Sequence, residues 1–150
     1  IVQAQLMFLD SVGGTDITMH IDSPGGSVKS GLSMVDVMDY IKSDIKTVNP
    51  GMAASMGSVL LGAGTKGKRS SLRHSTTMLH QSSGGFNGNI QDAEIDWKEW
   101  QKVNKELFNL LGEYCGKTAD EVMKDATRDF WLNAKEAKAY GIIDEIIGKS

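Results

Sequence analysis

The chain has 150 residues, 40% hydrophobic and 23% charged, with a formal net charge of −3. That size and balance fit one globular domain with a sizeable core, and the slight acidity gives no electrostatic hold on nucleic acid or an anionic membrane. A lone Cys115 excludes an intrachain disulfide framework, no Cys/His spacing suits zinc, and no apolar run is long enough to span a bilayer. Ile1-Val2-Gln3-Ala4 also lacks the basic start of a secretory leader. A soluble cytoplasmic protein without metal or cofactor is expected.

Ile1–Leu9 reads as an amphipathic helix with Val2, Leu6 and Leu9 on one face. No capping residue stands ahead of it, so a preceding segment is expected outside this sequence. Asp16–Ile21 alternates as a strand does, and Asp22-Ser23-Pro24-Gly25-Gly26 breaks it. Leu32, Val35, Met38 and Ile41 recur at helical spacing, predicting a helix from Ser27 to Ser43. Ile45–Val48 predicts a short strand that Asn49-Pro50-Gly51 turns, and Ser58–Ala63 predicts a short apolar helix. Arg69–Leu72 and Thr76–His80 predict further strands, with a Gly/Asn-rich loop over Ser82–Asn89 behind them. Thr118-Ala119-Asp120-Glu121 carries a capping-box pattern, Asn133 caps another helix that ends at Gly141, and Ile142–Ile147 predicts a last strand. Strands alternating with helices imply βαβ units and an α/β layered fold with parallel pairing.

The segment Ile90–Tyr114 predicts one long helix. Ile90, Trp97, Asn104 and Leu111 are seven apart, as are Ala93, Trp100, Leu107 and Tyr114. Such a heptad seam serves either a helix lying on its own core or an intermolecular junction, where a single polar residue such as Asn104 fixes register.

Three features carry chemistry. Ser55 lies in Gly51-Met52-Ala53-Ala54-Ser55-Met56-Gly57, among small residues at a predicted helix start. There, unpaired N–H groups favour negative charge beside the hydroxyl. Taken alone, the run fits a serine helix cap better than a nucleophile, and it matches the G-x-S-x-G elbow only in part. Of the three histidines, His80 ends a strand before a glycine-rich loop, His20 sits within a strand and His74 lies in a basic loop. The turn Asp22–Ser27 offers two glycine N–H groups to an oxyanion or phosphate, or is an ordinary strand-to-helix turn. Neither a dinucleotide fingerprint nor a Walker lysine accompanies it.

Together, Ser23-Pro24-Gly25-Gly26-Ser27-Val28, Gly51–Gly57, Ala63–Arg69, Met78-Leu79-His80-Gln81 with Gly84-Gly85, Arg128-Asp129-Phe130 and Glu136–Asp144 resemble the successive motifs of ClpP. That family comprises the proteolytic subunits of ATP-dependent Clp proteases. The resemblance spans nearly the whole chain, in family order. It implies an α/β fold, the crotonase-like spiral of βαβ units, with residues 90–114 as a protruding handle helix. It implies Ser55 as nucleophile, His80 as general base, Asp129 as the orienting acid and the N–H groups of Gly26 and Met56 as the oxyanion hole. Gly84, Gly85 and Phe86 correspond to the edge that holds extended peptide.

The resemblance further implies two stacked heptameric rings joined through the handle, with Trp97, Trp100, Asn104 and Arg128 at the junction. An AAA+ unfoldase such as ClpX or ClpA would feed unfolded polypeptides into the chamber. Ser82 stands where the family commonly has proline, and Thr127 where an acid often precedes the Arg-Asp pair and helps bridge the rings. The family's axial loop has no counterpart in this sequence. The competing readings are a dedicated ClpP-like protease such as one maturing a prophage capsid, a Ser–Lys peptidase using Lys66 or Lys68, an acyl-CoA hydratase of the same spiral fold, and a catalytically silent ring subunit.

Overall fold

The computed structural model describes residues 1–81 and 90–148. The chain runs through α1 (Val2–Val12) and β1 (Ile17–His20), and α2 (Val28–Tyr40) then crosses over to β2 (Ile45–Asn49). β1 and β2 are parallel, with Ile17 opposite Ile45, so α2 is the crossover of a βαβ unit. Ser27 starts that helix by accepting the Ser30 N–H at 3.4 Å. Beyond β2 come β3 (Met52–Ala54), α3 (Met56–Gly62), β4 (Arg69–Leu72) and β5 (Thr76–Leu79). The long α4 (Ile90–Cys115) follows, then α5 (Ala119–Asp125), β6 (Phe130–Asn133), α6 (Ala134–Tyr140) and β7 (Glu145–Ile147).

The strands sort into two sheets. One is wholly parallel, in the order β1-β2-β4-β7. The other has the order β3-β5-β6, with β3 and β5 parallel and β5 and β6 antiparallel. Successive circuits thus lay one strand in each sheet: β2 then β3, β4 then β5, β6 then β7. This is the expected α/β spiral. Asn49 fixes one corner between the sheets, donating to the Thr76 carbonyl at 2.9 Å and accepting the Gly51 N–H at 3.1 Å. Every residue of α3 is buried, and it packs on α2, on α4 and on strands of both sheets. A short helix that is apolar all round has no other stable place.

The capping box predicted at Thr118 forms, and the predicted cap Asn133 forms a second one. Thr118 and Glu121 close the start of α5, and Asn133 and Glu136 close that of α6. Elsewhere the expectations need correction. Only Leu6 of the expected α1 face is buried, while Val2 and Leu9 stay exposed alongside Met7 and Phe8. The last strand is confined to Glu145–Ile147, because Ile142 and Ile143 are buried in the turn that follows the left-handed Gly141 (φ 98°). β3 and β6 were not predicted. Met-Ala-Ala has little strand propensity of its own and is held by its partner β5.

One buried ion pair ties the first sheet to the end of the chain. The Arg69 side chain is 3% exposed, and its guanidinium meets both Asp144 oxygens, at 2.9 and 2.7 Å. It also donates to the Tyr114 carbonyl at 2.8 Å. Burial pushes the Asp144 carboxyl up, but the bonds from Arg69 outweigh it and hold the group below the usual carboxylate range. Asp144→Asn should cost about 3 kcal/mol, because it strands a buried cation. A carboxyl with a lowered folded pKa stabilises above its unfolded value, and that contribution is lost as pH falls through the folded one. The gap between wild type and Asp144→Asn in urea midpoint should therefore be full at pH 7 and shrink below about pH 4.

Candidate active site

β3 leads directly into Ser55, the only non-glycine residue with positive φ among those described (φ 54°, ψ −124°). A side chain in that region is strained and persists only where its surroundings hold it. Three hydrogen bonds do so. The Ser55 N–H donates to the Met78 carbonyl at 2.9 Å, and its own carbonyl accepts the Ser58 N–H at 3.0 Å and the Ser58 hydroxyl at 2.6 Å. Ser55 stands at the cap position of α3 but makes no capping bond with its side chain. The helix-cap reading therefore fails, and the hydroxyl is turned elsewhere.

It is turned to His80. The Ser55 Oγ lies 2.8 Å from His80 Nε2, and His80 Nδ1 lies 3.4 Å from Asp129 Oδ1. The pairing of β5 with β6 explains this convergence. Leu79 is opposite Phe130 in the antiparallel ladder, so the next residue of one strand and the preceding residue of the other, His80 and Asp129, extend toward the same place. His80 is largely enclosed, its side chain 25% exposed, whereas that of Asp129 is 62% exposed. Its 3.4 Å separation is loose for a hydrogen bond. With Asp129 at Nδ1, Nε2 is the nitrogen left to take the Ser55 proton.

The Asp22–Ser27 turn closes the other side. Gly25 has φ 105°, and a Cβ there would fall 2.7 Å from Ser55 Cβ and 3.1 Å from its Oγ. A Cβ on Gly26 would meet nothing within 4 Å. Gly25→Ala should lower kcat/KM by about 100-fold or more, since it forces Ser55 off its geometry. Gly26→Ala keeps its N–H and should stay within a few-fold of wild type in the same peptide assay. Met56 opens α3, where N–H groups lack helical partners. Its side chain fills the space over Gly31 of α2, where a Cβ would come within 2.6 Å of three of its atoms. That packing fixes the residue following Ser55.

A small cavity of about 20 Å3 adjoins Ser55 and His80, lined by Val28, Val59, Asn104, Leu107, Phe108 and Leu111. It holds about one water. Asn104, expected at the ring junction, is 8% exposed in this chain and lines the cavity beside Ser55. Its neighbours Leu107, Phe108 and Leu111 recur at helical spacing, the signal that would have placed α4 over the site. Arg128 and Trp131 lie on the open side, around a groove shared with His80, Gln81 and Asp129. Gly84, Gly85 and Phe86 lie outside the described residues.

The other candidates are elsewhere. His20 and His74 are exposed. Lys68 binds Asp16 and Asp44, both at 2.7 Å. Asp16, Asp44 and Lys68 immediately precede β1, β2 and β4, so they mark the N-terminal edge of the parallel sheet, whereas the Asp22–Ser27 turn lies beyond its C-terminal edge. Lys68 is thus engaged at the far end of the strands, against the Ser–Lys reading.

The model of the Clp protease family matches residues 1–150. The chain belongs to the Clp protease family. Among curated relatives, the ATP-dependent Clp protease proteolytic subunit of Bacteroides fragilis ATCC 25285 is 52% identical over 149 residues, covering 99% of this chain and 72% of that protein. The subunits of the same name from Bacteroides thetaiotaomicron and Porphyromonas gingivalis W83 are 50% and 49% identical, covering 99% and 100% of this chain and 68% of each protein. Family membership makes the chain a serine peptidase. No helix among the described residues is long and apolar enough to cross a membrane.

Proposed function

We propose that this protein is the proteolytic subunit of an ATP-dependent Clp protease, cutting unfolded polypeptides into short peptides in the cytoplasm. The observation that carries the reading is Ser55, held at positive φ with its Oγ 2.8 Å from His80 Nε2. In the mechanism, Ser55 Oγ attacks the peptide carbonyl carbon as His80 Nε2 takes its proton. Negative charge collects on the carbonyl oxygen, where the N–H groups of Gly26 and Met56 stabilise it. His80 returns the proton to the departing amine, leaving an acyl-enzyme. Water, deprotonated by the same nitrogen, then hydrolyses the ester. Asp129 keeps His80 in the tautomer that can accept at Nε2.

Gly84, Gly85 and Phe86 hold the extended substrate through its main chain. Two heptameric rings stack through α4, with Trp97, Trp100 and Arg128 at the junction, and an AAA+ unfoldase of the ClpX or ClpA kind supplies the substrate. The names of the relatives support the ATP-linked role.

The assembled protein should label covalently with a fluorophosphonate at Ser55, read by mass spectrometry of the modified peptide. Ser55→Ala should abolish labelling with the fold intact. Absence of labelling in assembled wild type overturns the peptidase role for this site.

A further inference from the structure

We propose that Tyr140 is a positioning residue for Asp129, pinning both ends of the loop that carries it; this rests on the triad reading of Ser55, His80 and Asp129. The loop runs over residues 126–129, between the last residue of α5, Asp125, and the first of β6, Phe130. Tyr140 touches both flanking residues. Its hydroxyl donates to Asp125 Oδ2 at 3.0 Å, and its ring meets the Phe130 ring edge-on, with centroids 5.3 Å apart and planes at 66°. The Lys117 ammonium sits 4.7 Å from the centre of the same ring and braces it from the turn before α5.

Asp129 needs such support. Its side chain is 62% exposed and its contact with His80 is 3.4 Å, so the carboxylate is placed mainly by the backbone beneath it. β-pairing of Phe130 with Leu79 fixes the distal end of the loop, and Tyr140 fixes the proximal end to the same ring system. Asp125 is also badly placed for helix stability alone, since its carboxylate stands at the negative C-terminal end of α5. The hydrogen bond from Tyr140 is what that carboxylate does there. Burial and the Asp125 carboxylate both push the Tyr140 phenol above its ordinary range, so it remains a donor throughout the working pH range.

The test is kcat and KM for a short fluorogenic peptide, measured on the assembled fraction of the full chain. Tyr140→Phe keeps the ring and removes the donor; kcat should fall about three- to tenfold with KM within twofold. Asp125→Asn keeps an acceptor and should restore most of the activity that Asp125→Ala loses. The Asp125→Ala chain should lose that activity without a lower unfolding midpoint. Placed in an Asp129→Ala background, Tyr140→Phe should add nothing, because the group it positions is gone. Wild-type kcat in Tyr140→Phe, or an equal loss in both backgrounds, overturns the clamp. If Asp129→Ala itself retains wild-type kcat, the triad reading falls and the clamp with it; a crippled Asp129→Ala beside an unaffected Tyr140→Phe overturns the clamp alone.

Discussion

His80→Ala is expected to lower kcat for peptide hydrolysis by about 10⁴- to 10⁶-fold, with KM little changed. The imidazole is the group within bonding distance of the Ser55 hydroxyl, at 2.8 Å, and without it the proton has no acceptor as the carbonyl is attacked. Residual activity over water should persist, because the N–H groups assigned to the oxyanion belong to the backbone and survive the change. Asp129→Asn should cost less, below the roughly 10⁴-fold seen where such an acid is buried. Its carboxylate is 62% exposed and 3.4 Å from His80, so water already screens the contact. Steady-state kinetics of the two variants, each with assembly verified by sedimentation, test the ranking. An Asp129→Asn loss equal to that of His80→Ala would mean that the acid is enclosed in the working assembly.

How far the sequence foretold this site depends on the element concerned. α2, β1 and the capping box at Thr118 were legible because their signals are local: a 3.6-residue apolar period, an alternating strand, a threonine with a glutamate three residues on. Ser55 was not legible from its own residues. The same small-residue turn suits an ordinary helix cap, and the deciding facts are a backbone angle and a bond to a residue 25 positions away. The union of His80 and Asp129 was less legible still. It follows from the Leu79–Phe130 register, and Phe130–Asn133 gives no strand signal strong enough to read against the capping residue at its end. Only the joint resemblance of several motifs to one family brought the three residues together. The heptad seam of α4 left its partner open for a physical reason: an apolar stripe does not say what it faces. Leu107, Phe108 and Leu111 face their own core, and Asn104 goes with them.

Changing Trp97 and Trp100 together to alanine is expected to split the double ring and to lower peptidase activity by at least about tenfold, although neither residue contributes to the triad. The N-terminal half of α4 is the part that the domain leaves uncovered. Ile95 is 66% exposed and Trp97 44% exposed, and Trp97 stacks on Trp100 with ring centroids 5.0 Å apart and planes at 15°. The Trp100 indole N–H is buried without an acceptor among the described residues. Burying the exposed parts of Ile95 and Trp97, at about 25 cal/mol per Å2, gains more than an exposed ion pair contributes. Activity should follow assembly because Asp129 precedes the 53%-exposed Trp131 by two residues, so a neighbouring ring seated on Trp131 steadies the backbone that carries the acid while leaving its carboxylate open to water. Thr127 adds no charge there; its hydroxyl donates to the Met123 and Lys124 carbonyls and finishes α5. A junction that leans on apolar area resists salt, so wild type should keep its sedimentation coefficient between low and high ionic strength while the double variant sediments as the smaller species in both. A double variant that remains a fully active two-ring particle would show that the tryptophans serve their own subunit, and the handle role of α4 would be lost with them.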